Sequence, residues 1–199
     1  MRILLLLIAA SLSAHISGRS QTNTSISDVN EHLEGDVSWS AATNHIQLGI
    51  IRPHYPPRNA PYKLGILVYL RSTNKNVIHS LIPPPRGYRL DLILLDADGK
   101  PVKRTSKGDS FCKPLTLATK RKAFSAWEER GYGLMPGIPR QFEDAIELLK
   151  CFKVKEPGTY TLVVRARLYR LVSYPEIEQM ILPETSMNVT ITQADLDNQ

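Results

Sequence analysis

The amino-acid sequence predicts an all-β fold, a two-layer sandwich of about seven strands interrupted by one long irregular insertion. Three observations predict it. Between Ile46 and Ile191, apolar residues recur at every second position in several short runs, the spacing that puts them on one face of a half-buried strand. Pro, Gly, Asn and Asp bound these runs, as they bound strands that turn back on themselves. The regular exchange of strand-length and helix-length runs that builds a parallel sheet is absent.

Ile46, Leu48 and Ile50 form the first alternating run, and Arg52-Pro53 ends it before a loop holding Pro53, Pro56, Pro57 and Pro61. From Tyr62 to Ser72, Leu64, Ile66, Val68 and Leu70 share one face while Leu67 and Tyr69 occupy the other, which predicts a central strand. Asn74-Lys75-Asn76 reads as a turn, and Pro83-Pro84-Pro85 as an extended connector. Leu90, Leu92 and Leu94 then share a face over Arg89 to Leu95, and Asp96-Ala97-Asp98-Gly99 makes the tight turn of a hairpin into Lys100 to Thr105.

The rhythm breaks from Ser106 to Gln141. Four glycines (Gly108, Gly131, Gly133, Gly137) and three prolines (Pro114, Pro136, Pro139) fall there with no sustained period of two, so residues 106–141 are expected to form the irregular insertion. Phe142, Ile146 and Leu149 have helical spacing, which predicts a short helix giving way to a strand near Leu148. After a turn at Glu156-Pro157-Gly158, Tyr160, Leu162, Val164, Ala166 and Leu168 alternate most cleanly of all. Met187, Val189 and Ile191 mark the last strand, and residues 195–199 read as a frayed tail.

At this point a resemblance emerges. Phe152-Lys-Val-Lys-Glu-Pro-Gly-Thr-Tyr160 is similar to the approach to a late strand in immunoglobulin-like and fibronectin-like secreted domains, in which the Tyr occupies a corner between strands. The hairpin Leu95 to Lys100 is similar to hairpins of the same broad class. The resemblance covers Ile46 to Ile191 and implies an immunoglobulin-like β-sandwich, an architecture rather than a particular family. The chain lacks the cysteine–tryptophan–cysteine arrangement of antibody-type domains, because Trp127 lies between Cys112 and Cys151 inside the insertion.

At 199 residues the chain suits one domain, long enough to bury roughly two-thirds of its unfolded surface. Its composition, 42% hydrophobic and 22% charged, argues against a disordered tail or a multi-span membrane protein. Met1-Arg2, the apolar run from Ile3 to Ala10 and the small residues Ser11, Ser13 and Ala14 read as a signal peptide over residues 1–18, with the cut after Ala14 or Gly18. Its apolar run, about a dozen residues, falls short of the ~20 of a spanning helix, so no transmembrane span is expected after cleavage. A secreted or periplasmic product is expected, with residues 19–38 as a flexible leader and 39–194 as the single domain. In such an oxidising compartment Cys112 and Cys151 are expected to form a disulfide, worth roughly 4 kcal/mol for a loop of about 39 residues. Two buried thiols or a metal pair are the alternatives, though no histidines neighbour them to complete a zinc site.

The net charge of +6 is uneven. Lys100 to Lys122 carries eight bases against one acid, Asp109. No catalytic signature accompanies it. Ser72 to Lys75 and Ser110 to Lys113 match a Ser-x-x-Lys pattern without its companion elements. Glu31, His32, Glu34 and Asp36 lie in the leader, which lacks the rigidity of a metal site. Asp96 and Asp98 serve a turn, and Glu128-Glu129 or Glu143 and Asp144 read as surface acids rather than a glycosidase pair. The segment Lys120, Arg121, Lys122, Phe124, Trp127, Arg130 and Tyr132 interleaves cations with aromatics, as binding surfaces do. Packing of Phe124 and Trp127 against one end of the sandwich is the plainer reading of the same residues. The expectation is therefore a non-enzymatic exported binding module for a protein or an acidic glycan, without metal or cofactor and without nucleic acid as a partner. An accessory module pairing through a sheet edge, a protease-inhibitor-like domain and a hydrolase with an unrecognised site are the alternatives.

Overall fold

A computed structural model of the chain describes residues 37–53, 64–76, 78–130 and 133–197. The expected signal peptide and nearly all of the leader lie outside the described residues. The strands are β1 (Ser38–Trp39), β2 (Ile46–Ile51), β3 (Gly65–Ser72), β4 (His79–Ile82), β5 (Leu90–Leu95), β6 (Gly133–Leu134), β7 (Arg140–Glu147), β8 (Gly158–Ser173), β9 (Glu176–Ile181) and β10 (Thr185–Ile191). The helices are α1 (Ser106–Phe111), α2 (Leu117–Arg130), α3 (Leu148–Cys151) and α4 (Gln193–Leu196). The fold is mainly β, in two antiparallel sheets.

The first sheet runs β1-β2-β3-β7. The second is organised along β8, whose first half pairs with β10 on one side and β5 on the other. Its second half pairs with β9 and β4, and β6 extends the sheet from β4. Alternation decides which face is dry. Ile46, Leu48 and Ile50 from β2, and Ile66, Val68 and Leu70 from β3, pack in one cluster with Leu90, Leu92 and Leu94 of β5, Leu162, Val164 and Leu168 of β8, and Val189 and Ile191 of β10. Each such side chain is essentially inaccessible, a stabilisation of about 1.5–3 kcal/mol apiece before the entropic cost of ordering.

The expected hairpin turn forms: the Asp96 amide donates to the Lys100 carbonyl (2.9 Å), and Gly99 takes the left-handed φ of +76°. Its return arm pairs only through isolated bridges, Leu95 with Pro101 and Arg104 with Phe152. At the chain's end Thr192 and Asp195 form a reciprocal capping box on α4, so Gln193–Leu196 is helical where a frayed tail was expected from Asp195.

Three further expectations are overturned. Residues 106–141 are mostly regular, with two helices, the short strand β6 and the beginning of β7. No Gly or Pro interrupts Leu115 to Arg130, and Ala, Lys, Arg and Glu favour helix there. Thr116 and Thr119 exchange hydrogen bonds between hydroxyls and amides at the α2 N-terminus (2.7 and 3.2 Å), satisfying donors the first turn leaves open. The buried positions of α2 are small, Thr119 and Ala123, so the helical stripe carries little apolar contrast.

Arg140–Glu147 is a strand followed by the helical turn Leu148–Cys151, the reverse of the expected order. Its register against β3 shifts between Ile66 and Val68 and again between Val68 and Tyr69. The irregularity puts Phe142, Glu143 and Ile146 inside, a spacing that imitates a helix.

Cys112 and Cys151 are both free and not at disulfide distance. Each thiol is committed to separate surroundings: Cys112 Sγ accepts the Leu92 amide (3.3 Å) beside β5, while Cys151 belongs to the main core. Helix α1 locks over α3 at Gly108, where an added Cβ would stand 2.1 Å from the Cys151 carbonyl oxygen. Gly108→Ala is therefore expected to lower unfolding stability by about 1–3 kcal/mol, by a backbone displacement, in a denaturant titration. Lys107→Ala, one residue earlier and exposed, should stay within about 0.5 kcal/mol of the parent. Equal midpoints for the two variants would show that this contact does not hold the helices together.

Candidate functional site

Helix α2 lies against the second half of β8 on the face opposite the main core. Leu81, Leu168 and Met180 point into that core, while the adjacent Ile82 and Tyr169, with Ile177, form a second cluster with Ala123. Phe124, Trp127, Leu115 and Leu171 pack partly buried around it. Phe124 is the hinge of an aromatic group, with ring centroids 5.8 Å from Trp127 and 5.9 Å from Tyr174. The Tyr174 hydroxyl donates to Glu128 Oε1 (2.8 Å), tying the β8–β9 turn to α2. That bond to a carboxylate raises the Tyr174 phenol above its ordinary range.

The segment singled out from sequence is thereby divided. Phe124 and Trp127 are half-buried packing residues, set against the outer face of β8 rather than at one end of the sandwich. Arg121 and Lys122 are exposed and Lys120 half-exposed; among the described residues none of the three forms an ion pair. Arg130 ends α2, but its side chain, like the whole of Tyr132, lies outside the described residues.

Elsewhere five arginines are matched, whereas Lys103, Lys107, Lys113, Lys153 and Lys155, like the α2 cations, form no ion pair among the described residues. Arg86 pairs with Asp144, Arg104 with Asp109, Arg165 with Glu184, Arg167 with Asp91 and Arg170 with Glu178. Tyr174, held to α2 through Phe124 and Glu128, is 70% exposed. Tyr174 was not among the candidates expected from sequence; its signal was the continuation of the strand past Leu168 into Val172-Ser-Tyr-Pro-Glu176.

The other candidates occupy structural roles. Ser72 is buried, and its hydroxyl bonds to the Asn74 backbone in a turn. Ser110 bonds to the Lys107 carbonyl inside α1 (2.6 Å). Glu143, only 4% exposed, lies 3.7 Å from Arg89, while Asp144 is at the surface with Arg86. Burial, with a smaller contribution from His45, pushes the His79 imidazole below its usual range. No family model matches the chain, and no curated protein or solved structure matches it either.

Burial also raises both thiols, Cys151 to about 12. At pH 8 such thiols stay protonated and poorly nucleophilic. The folded chain is expected to resist iodoacetamide at pH 8 and to take two adducts once denatured, read by intact mass. Because the Cys151 pKa is raised in the fold, its contribution to stability is present below pH ~9 and is lost as the pH climbs towards 12. A native chain with no alkylatable thiol after denaturation would restore the disulfide.

Proposed function

We propose that this chain is an exported, non-enzymatic module with an immunoglobulin-like sandwich, and that it docks an acidic protein partner through the outer face of α2 and the β8–β9 turn. The observation that carries the reading is the set of cations Lys120, Arg121 and Lys122 on α2, without ion pairs among the described residues, on the same helix that holds exposed Tyr174 through Phe124 and Glu128. Aromatic and apolar anchors rimmed by unmatched charge are what protein interfaces use, the anchors for affinity and the charge for steering. Glu128 fixes the Tyr174 ring, so little side-chain freedom remains to be lost on binding.

The immunoglobulin-like assignment is supported at the start of β8. Tyr160 donates its hydroxyl to the Glu156 carbonyl (2.8 Å), the upstream backbone bond that a tyrosine corner makes in such sandwiches. Export is supported by the run from Met1 to Ala14.

Binding of immobilised Asp/Glu-rich peptides that contain aromatic residues tests the docking face. The variant Lys120→Ala, Arg121→Ala, Lys122→Ala should bind about tenfold or more weakly at low salt, mainly through slower association. The equally charged control Lys103→Ala, Lys153→Ala, Lys155→Ala should bind like the parent. Equal losses in the two variants would reduce the effect to net charge and remove α2 as the docking face.

A further inference from the structure

On the other side of the segment, α1 and β7 enclose a groove of about 440 Å³ lined by Arg86, Lys107, Ser110, Phe111, Lys113 and Glu143, among others. This lies within the range of small-ligand sites, roughly 300–1,000 Å³. Its charges are unevenly matched. The three acids of the lining each have a cation: Glu143 has Arg89, Asp144 has Arg86 and Glu147 has Lys150. Lys107 and Lys113 form no ion pair among the described residues; the Lys113 ammonium instead lies 5.7 Å from the centre of the Tyr88 ring. The groove therefore presents two unmatched positive charges.

Glu143 supplies a second, independent requirement. Its carboxylate is buried, and Oε1 accepts the Asp144 amide (3.1 Å), but Oε2 has no hydrogen-bond donor among the described residues. Arg89, at 3.7 Å from Oε2, balances the charge without completing a hydrogen bond. A buried acceptor without a donor is costly, so an occupant that brings one is favoured. With Arg89 already at 3.7 Å and Lys107 and Lys113 in the same lining, a neutral hydroxyl suits that donor better than an ammonium. Half-buried Phe111 adds an apolar wall.

We infer that this groove binds an acidic saccharide of one or two sugar rings. Its acid group sits against Lys107 and Lys113, a hydroxyl donates to Glu143 Oε2 as that closed-off carboxylate turns towards the groove, and the C–H face of a ring lies on Phe111. The inference does not rest on the α2 docking face.

Titrating the full chain with glucuronic acid and a uronic acid disaccharide, followed by amide NMR shifts and calorimetry, tests it. Saturable binding is expected, with shifts at Lys107 to Lys113 and at Glu143. Glucose, which lacks the acid, and cyclohexanecarboxylate, which lacks the hydroxyls, should each bind about tenfold or more weakly. Glu143→Gln should weaken uronate binding to a similar degree. The surface variant Lys107→Ala, Lys113→Ala should do the same and keeps the test decisive if Glu143→Gln unfolds, while the α2 triple variant should bind uronate normally. Uronate binding indifferent to Lys107 and Lys113, tighter binding of cyclohexanecarboxylate or uridine monophosphate, or no saccharide binding at all would overturn the assignment.

Discussion

Sixteen consecutive residues, Gly158–Ser173, form one strand that serves four others, and the rest of the fold depends on its changing partners midway. Up to Ala166 it pairs with β5 and β10; from Arg167 onward it pairs with β9 and β4. The changeover is bonded closely. The Arg167 amide donates to the Arg89 carbonyl (2.7 Å), and the Leu182 amide donates to the Ala166 carbonyl (2.9 Å). The Arg167 guanidinium pairs with Asp91 on β5 and also reaches the Lys113 carbonyl (2.8 Å) just beyond α1. A largely buried arginine earns its desolvation here by joining three segments through charge-assisted hydrogen bonds.

Because a strand has two faces, the same residues create two cores. Leu168 faces the sandwich while its neighbour Tyr169 faces α2. The second cluster is small, so the helix is held by a few large contacts from Phe124 and Trp127 rather than by a broad stripe. On the outer surface of α2, Glu128 holds Tyr174, while Lys120, Arg121 and Lys122 form no ion pair among the described residues. At the other end α1 and α3 clasp through Gly108, whose missing side chain allows backbone to approach backbone. Helix α1 also forms one wall of the groove that Glu143 lines.

Strands with strict alternation were legible from sequence because one wet face and one dry face leave a period of two: Leu64 to Leu70, Leu90 to Leu94, Tyr160 to Leu168 and Val189 to Ile191. Legibility failed where geometry departs from that simple case. The register shifts in β7 brought Phe142, Glu143 and Ile146 inward together and mimicked a helix. Helix α2 hid behind Thr119 and Ala123, small residues that pack closely without announcing an apolar face. The cysteines conformed to a compartment rule, yet pairing is decided by where each Cβ points, which composition does not record. Of the candidate surface, the cationic-aromatic segment was visible as composition; its division into packing rings and outward charges was not. Tyr174 joins it from more than forty residues away, through a turn that only the fold brings alongside.

Native-state amide hydrogen exchange tests the continuity of β8 most directly. If one strand unites the two cores, amides bonded on either side of Arg167 should share the slowest exchange in the chain, set by global unfolding. Exchange of residues 168–173 together with α2, orders of magnitude faster than residues 160–166, would contradict this and show that the second core opens by itself.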